Sequence, residues 1–167
     1  MSIASALPLG ATGDAELLTL QLSELGDLTE IVRGLNSRLP EGVSITAARA
    51  LPEGAKAPAI VASEFVLEFG LPEDAGITEL ESAAIDILGR DSIIVERGTG
   101  RDRKRFDLRP GIESLTISPG HDPSIARVTA TLPHREFTVK PAEIVCLLSE
   151  KLPGLDAISV RRARLIT

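Results

Sequence analysis

The spacing of apolar residues switches several times between a period of two and a period near 3.6, so strands and helices alternate along this chain. Residues 3–7 and 16–22 have strand patterning, the second with Leu18, Leu20 and Leu22 on one side. The turn-forming stretch at residues 10–13 between them predicts a hairpin. Asp27 stands three residues before Glu30, the spacing of a capping box. Leu28, Ile31, Val32, Leu35 and Leu39 follow at helical intervals until Pro40. Residues 43–49 alternate again, with Val43, Ile45 and Ala47 sharing a strand face.

After a Pro-, Gly- and Ala-rich stretch at residues 51–59, residues 64–69 alternate with Phe65, Leu67 and Phe69 on one side. Ile77, Leu80, Ala84, Ile87 and Leu88 predict a helix stopped by Gly89, and residues 93–95 a short buried strand. Residues 103–118 read as one extended strand bent at Pro110-Gly111, and residues 126–132 as another. Pro141 suits the first turn of a helix with Ile144, Val145, Leu148 and Leu152 on its buried face. Residues 158–166 then alternate as a strand. The order ββαβ then βαβββαβ predicts an α+β protein on the ferredoxin-like split βαβ plan, with about one and a half tandem units. Residues 1–50 would form an incomplete half, 51–61 a linker and 62–167 a second half.

Apolar residues make up 43% of the 167 and charged residues 25%, a balance that excludes wholesale disorder. With four Phe and no Trp or Tyr, the core has to come from Leu, Ile, Val and Ala. No apolar run approaches the roughly 20 residues that span a bilayer. Residues 1–13 lack a basic start and break at Pro8 and Gly10, so they do not read as a signal peptide. A single cysteine, Cys146, excludes an internal disulfide framework and a multi-thiolate metal site. These features together imply a cytoplasmic protein with no membrane partner.

Charge is polarised along the chain. Residues 1–89 hold 4 Lys/Arg against 14 Asp/Glu, net −10, whereas residues 90–167 hold 14 against 10, net +4. The basic half has two clusters: Arg101, Arg103, Lys104 and Arg105 with Arg109 just beyond, and Arg161, Arg162 and Arg164. Strand alternation puts Arg162 and Arg164 on one face and Arg161 on the other. Were the two strands neighbours, they would offer phosphates a basic strip. These eight residues are the candidate contacts for a partner protein or for RNA. Charge that deters sheet-to-sheet pairing explains the same residues without a ligand. Phe106 is the only aromatic nearby, whereas readers of single strands stack bases on several.

No catalytic, cofactor-binding or metal-ligating residue is legible. His121 lies in the turn cluster Pro119-Gly-His-Asp-Pro123 and His134 follows Pro133, so both read as surface-loop histidines. Cys146, between Val145 and Leu147, reads as a packed core thiol. Gly98-Thr-Gly100 leads into Arg101 with no Lys-Ser/Thr pair and no helix behind it, so it is a loop rather than a phosphate cradle. Glu73, Asp74, Glu79 and Glu81 sit at a helix start, where the macrodipole favours acids. A Gly-x-Ser-x-Gly nucleophile elbow is absent from the sequence.

Five stretches, in order, resemble the radical SAM-linked protein family, an uncharacterised family of bacteria. They are Ala6-Leu-Pro-Leu-Gly10, Ala15-Glu-Leu-Leu18, Leu35-Asn-Ser-Arg-Leu-Pro-Glu-Gly-Val43, Phe106-Asp-Leu-Arg-Pro110 and Ser159-Val-Arg-Arg-Ala-Arg-Leu165. Members of that family are fused to, or encoded beside, a radical SAM protein. They usually begin several dozen residues earlier, with a strand and an Arg-rich helix carrying Ser-His-Leu-Asp and ending in Gly-Phe-x-Pro-His-Pro. This chain lacks that strand-helix segment, which is the β-α unit its first half is short of.

Radical SAM chemistry holds its cluster on three cysteines, so a chain with one is not the radical enzyme. The resemblance therefore implies a non-catalytic accessory or interaction domain, working with a radical SAM enzyme and presenting a macromolecular substrate to it. Two alternatives stand beside that expectation: an RNA-binding module of tandem ferredoxin-like type, and an enzyme using His121 or His134 as a base. A sheet short of a strand would also expose apolar surface and favour a homodimer.

Overall fold

The structure, a computed structural model, describes residues 2–52 and 54–167. Met1, at the head of the expected first half, and Glu53, inside the expected linker, lie outside the described residues. The elements run β1 (Ser2–Ile3), β2 (Thr12–Gly13), β3 (Leu18–Thr19), α1 (Leu28–Asn36), β4 (Ala62–Gly70), α2 (Ile77–Leu88), β5 (Ile94–Arg97), β6 (Lys104–Asp107), β7 (Ser114–Pro119), β8 (Ile125–Pro133), α3 (Pro141–Lys151) and β9 (Asp156–Ile166). They belong to two compact units, Met1–Ile3 with Leu18–Pro58, and Ala4–Leu17 with Ala59–Thr167.

In the first unit β1 and β3 pair antiparallel, so the expected hairpin exists but is only two residues long on each side. Helix α1 starts as its sequence dictates. The Asp27 carboxylate accepts from the Glu30 N–H at 3.0 Å, and that bond holds the Asp27 carboxyl below the usual carboxylate range. The strand expected at residues 43–49 does not form. Its place in a ladder is taken by one side chain: the Asn36 amide donates to the Ile45 carbonyl at 3.0 Å and accepts from the Ile45 N–H at 2.7 Å. With Ile45 satisfied locally, its alternating pattern has no strand to join.

The second unit is a mixed sheet in the order β2-β9-β4-β8-β7. Strand β4 runs antiparallel to both β8 and β9, β7 is antiparallel to β8, and β2 joins β9 parallel. Taking β4, β7, β8 and β9 as strands one to four gives the order 4-1-3-2 with a helix after the first and third. That is the split βαβ plan, so the protein is α+β as the pattern of periods predicts. Residues 12–13, expected within a turn, are the short edge strand β2.

Helices α2 and α3 cover one face of this sheet. Leu80, Ala83, Ala84 and Ile87 from α2, and Ile144, Leu147 and Leu148 from α3, pack with Phe65, Leu67 and Phe69 of β4 into one core. Glu79 accepts from the Gly76 N–H at 2.8 Å, which closes the start of α2 as expected of an acid in the first turn. Cys146 is exposed rather than packed. The buried stripe of α3 runs through residues 144, 147 and 148, and at helical spacing position 146 falls outside it.

Residues 103–118 are two strands, not one. Strand β6 pairs back on β5 as a separate ribbon, and a 3-10 turn at Arg109–Gly111 precedes β7. The break is local chemistry. Pro110 has no N–H to give a ladder, and the Asp107 carboxylate accepts from Ile93 N–H (2.8 Å) and Arg109 N–H (3.0 Å). The Ile93 bond, more than any other, keeps the Asp107 carboxyl low in pKa. The ribbon leaves Ile94 half exposed, where a buried strand was expected.

Candidate functional site

The two basic clusters do not lie on neighbouring strands. Strand β6 pairs only with β5 among the described residues, whereas β9 lies between β2 and β4. At the ribbon, Arg101, Lys104 and Arg105 are exposed, and Arg103 reaches Glu96 at 3.1 Å. The tip turns through Gly98 at φ +94°, where a Cβ would meet the Asp102 carbonyl oxygen at 2.6 Å. Its base is held by Arg97, which the sequence reading passed over. Arg97 forks onto Glu143 at 2.8 and 2.7 Å and lies over the rings of Phe106 and Phe137, 4.9 and 5.8 Å from their centroids.

On β9 the expected faces change. The register passes from Glu64–Arg164 to Phe65–Arg162, leaving Ala163 as a bulge. Arg162 therefore shares a face with Phe65 and Arg164 with Glu64, so the two arginines do not point together. Arg162 is buried. Its Nε donates to Glu16 at 2.8 Å, Nη2 to Glu16 and to the Ser5 carbonyl at 2.9 Å, and Nη1 to Ser5 Oγ (3.2 Å) and the Ala6 carbonyl (3.3 Å). It clamps residues 4–17 to the sheet and is not open to a partner. Arg161 pairs with Asp14 and Arg164 with Glu64, the latter at 2.9 Å.

Arg109 and Arg164 do converge. Both line a cleft where β4 begins and β8 and β9 end, together with Arg135, His134 and the apolar Val61, Ile112 and Ile166. Arg109 is fixed in the 3-10 turn by donating Nε to the Leu88 carbonyl (3.0 Å) and Nη1 to the Ile112 carbonyl (2.8 Å). Its Nη2 has no partner among the described residues. Arg135 is exposed and outside every ion pair among the described residues. The sequence reading missed it because one arginine after a strand end has no cluster around it to draw attention. Glu113 is the one acid in the lining.

His134 is half-buried rather than a free loop histidine, and Nε2 lies 2.9 Å from Ser63 Oγ. Burial, with the charge of Arg162 second, holds its pKa below the usual histidine range. The sign follows from linkage. The unfolded chain takes up a proton before the folded one does, so this contribution to stability is lost as pH falls through the ordinary histidine range toward the folded value. An NMR titration of the His134 ring is expected to give a midpoint below that of a histidine in a short peptide, and Arg162→Met should raise it part of the way. A midpoint at or above the peptide value would contradict this.

Fold and cleft together define an α+β domain with a split βαβ sheet and an arginine-lined cleft at one end of it. The chain belongs to the family described as "Uncharacterized protein conserved in bacteria (DUF2344)", whose model matches residues 1–141. No curated protein matches the chain. Among solved structures, a chain of the "Crystal Structure of a Cbf5-Nop10-Gar1 Complex" is similar with a TM-score of 0.49 and 11% sequence identity. That likeness covers 64% of this chain and 31% of the other, so this chain spans about a third of its length. No helix among the described residues is long and apolar enough to cross a membrane.

Proposed function

We propose that this chain is a non-catalytic interaction domain that docks on a radical SAM enzyme and holds a macromolecular substrate to it. The observation that carries this reading is the uncovered apolar surface of the first unit. Helix α1 has an apolar stripe through Leu28, Ile31, Val32 and Leu35 yet buries none of them fully, and Leu22, Leu25, Val43 and Leu51 are exposed. Surface of that kind on a soluble domain marks a place where another protein packs. The radical SAM identity of the partner comes from the family resemblance. Four of its five stretches lie inside the matched residues 1–141. With one cysteine in this chain, the three thiolates of a radical SAM cluster fall to the partner.

The test mixes this protein with a radical SAM protein from the same organism and follows the complex by size-exclusion chromatography and calorimetry. Association at micromolar concentration is expected, weakened at least about tenfold by Leu25→Asp combined with Val43→Asp, since apolar anchors dominate interfaces. No complex at micromolar concentration, an undiminished affinity in the variant, or pairing of this chain only with itself would sink the proposal.

A further inference from the structure

We infer that the cleft at the ends of β4, β8 and β9 is a binding site for the phosphate of a nucleoside monophosphate, carried either by a free nucleotide or by the 5′ end of an RNA strand. Three arginines line it from separate elements: Arg109 from the 3-10 turn before β7, Arg135 from the segment after β8, and Arg164 from β9. They differ usefully. Arg109 is held in place by two carbonyls with Nη2 still available, so little conformational freedom is lost when it meets an anion. Arg135 is exposed and without a carboxylate partner among the described residues. Arg164 gives one N–H to Glu64, and a guanidinium has five to give. Glu113 alone opposes them within the lining, so the local sign is positive although the whole chain carries −6.

The remainder of the lining says what the phosphate is attached to. The cleft is open with a volume of about 910 Å³, far more than one phosphate fills and within the size of small-molecule sites. Val61, Ile112 and Ile166, with Pro110 and Pro133, give it an apolar surface against which a sugar and base can lie. No Phe lines it among the described residues, and the His134 imidazole is the one aromatic ring there. Phe65 and Phe69 are in the core, and Phe106 and Phe137 lie under Arg97. A run of stacked bases therefore has no platform here, and recognition rests on one phosphate group rather than on a tract. The ribbon cations Arg101, Lys104 and Arg105 are as exposed but line no part of this cleft.

The test uses the full chain and three probes: AMP, octauridylate with a 5′-phosphate, and octauridylate with a 5′-hydroxyl. Binding is followed by calorimetry and by fluorescence anisotropy with a 3′ label. The phosphorylated RNA is expected to bind below millimolar concentration, more weakly as salt rises. Arg135→Glu and Arg164→Glu are each expected to weaken it at least about tenfold, as loss of a charge-assisted contact does, and Arg101→Glu less than about twofold. Arg135 is exposed and makes no ion pair among the described residues, so its variant should melt as the parent does, which separates lost binding from lost folding. Full competition by AMP would assign the site to free nucleotides, and binding of the phosphorylated RNA alone would assign it to RNA ends; either upholds the site. Equal binding of the hydroxyl RNA, no binding of AMP or phosphorylated RNA at millimolar concentration, or indifference to both cleft variants would overturn it.

Discussion

Replacing Arg162 by methionine is expected to cost about 2–4 kcal/mol and to free residues 4–17 while the sheet behind them stays folded. The arginine is almost wholly enclosed, and among the described residues its guanidinium bonds Glu16, Ser5 and Ala6 alone, with the Phe65 ring 5.9 Å from its guanidinium carbon. Methionine fills most of the same space but leaves the Glu16 carboxylate and two carbonyls without their donor. The cost falls below that of a fully buried pair because the Glu16 side chain is 32% exposed and can turn to water. Amide exchange distinguishes this outcome from general unfolding. Residues 4–17 should exchange far faster, whereas β4 and β8 should keep their protection. Unchanged protection at residues 4–17 would mean that Arg162 is not the clamp.

The larger loss is expected from Phe69→Ala, about 3–5 kcal/mol in urea unfolding. Phe69 is fully buried near the end of β4, and its neighbours across the two adjoining strands are Ala126 and Ala157. Neither alanine can extend into the space a ring vacates, so the cavity persists rather than collapsing. Phe69→Leu should restore roughly half, because it refills part of that volume. A midpoint shift worth less than about 1 kcal/mol for the alanine variant would show that the helices repack over the gap.

The parts of the fold readable in advance are those whose patterns are long and whose ends carry their own chemistry. Helix α2 has a four-residue buried stripe, and α3 has Pro141 at its first turn. Strands β4 and β8 run nine residues each, long enough for alternation to be unambiguous. Strands β1, β2 and β3 have two residues apiece, too few for any period to register. Residues 43–49 alternate well and still form no strand, because alternation describes one edge of a pairing and Asn36 supplies a rival for the other.

The candidate site was less legible for a related reason. Arg162 and Arg164 are two residues apart, and only the bulge at Ala163, a property of how β9 meets β4, turns them to opposite faces. Arg109 looked like the end of a basic run when its actual work is to bridge two carbonyls. Arg135 was invisible because what matters about it is the company it keeps in space, 26 positions from Arg109 in sequence and 29 from Arg164. Charge clusters along a chain measure proximity in one dimension, and the cleft is assembled in three.

The clamp between Arg162 and Glu16 joins positions 146 apart, and β4 meets β9 across about a hundred. A ribosome would deliver the early residues long before the strand that receives them. Strand β2 has no sheet to enter, and β4 has one open flank, until β9 emerges. Closure of this unit therefore waits for β9, and the open edge of β4 is the surface a chaperone would need to shield in the meantime.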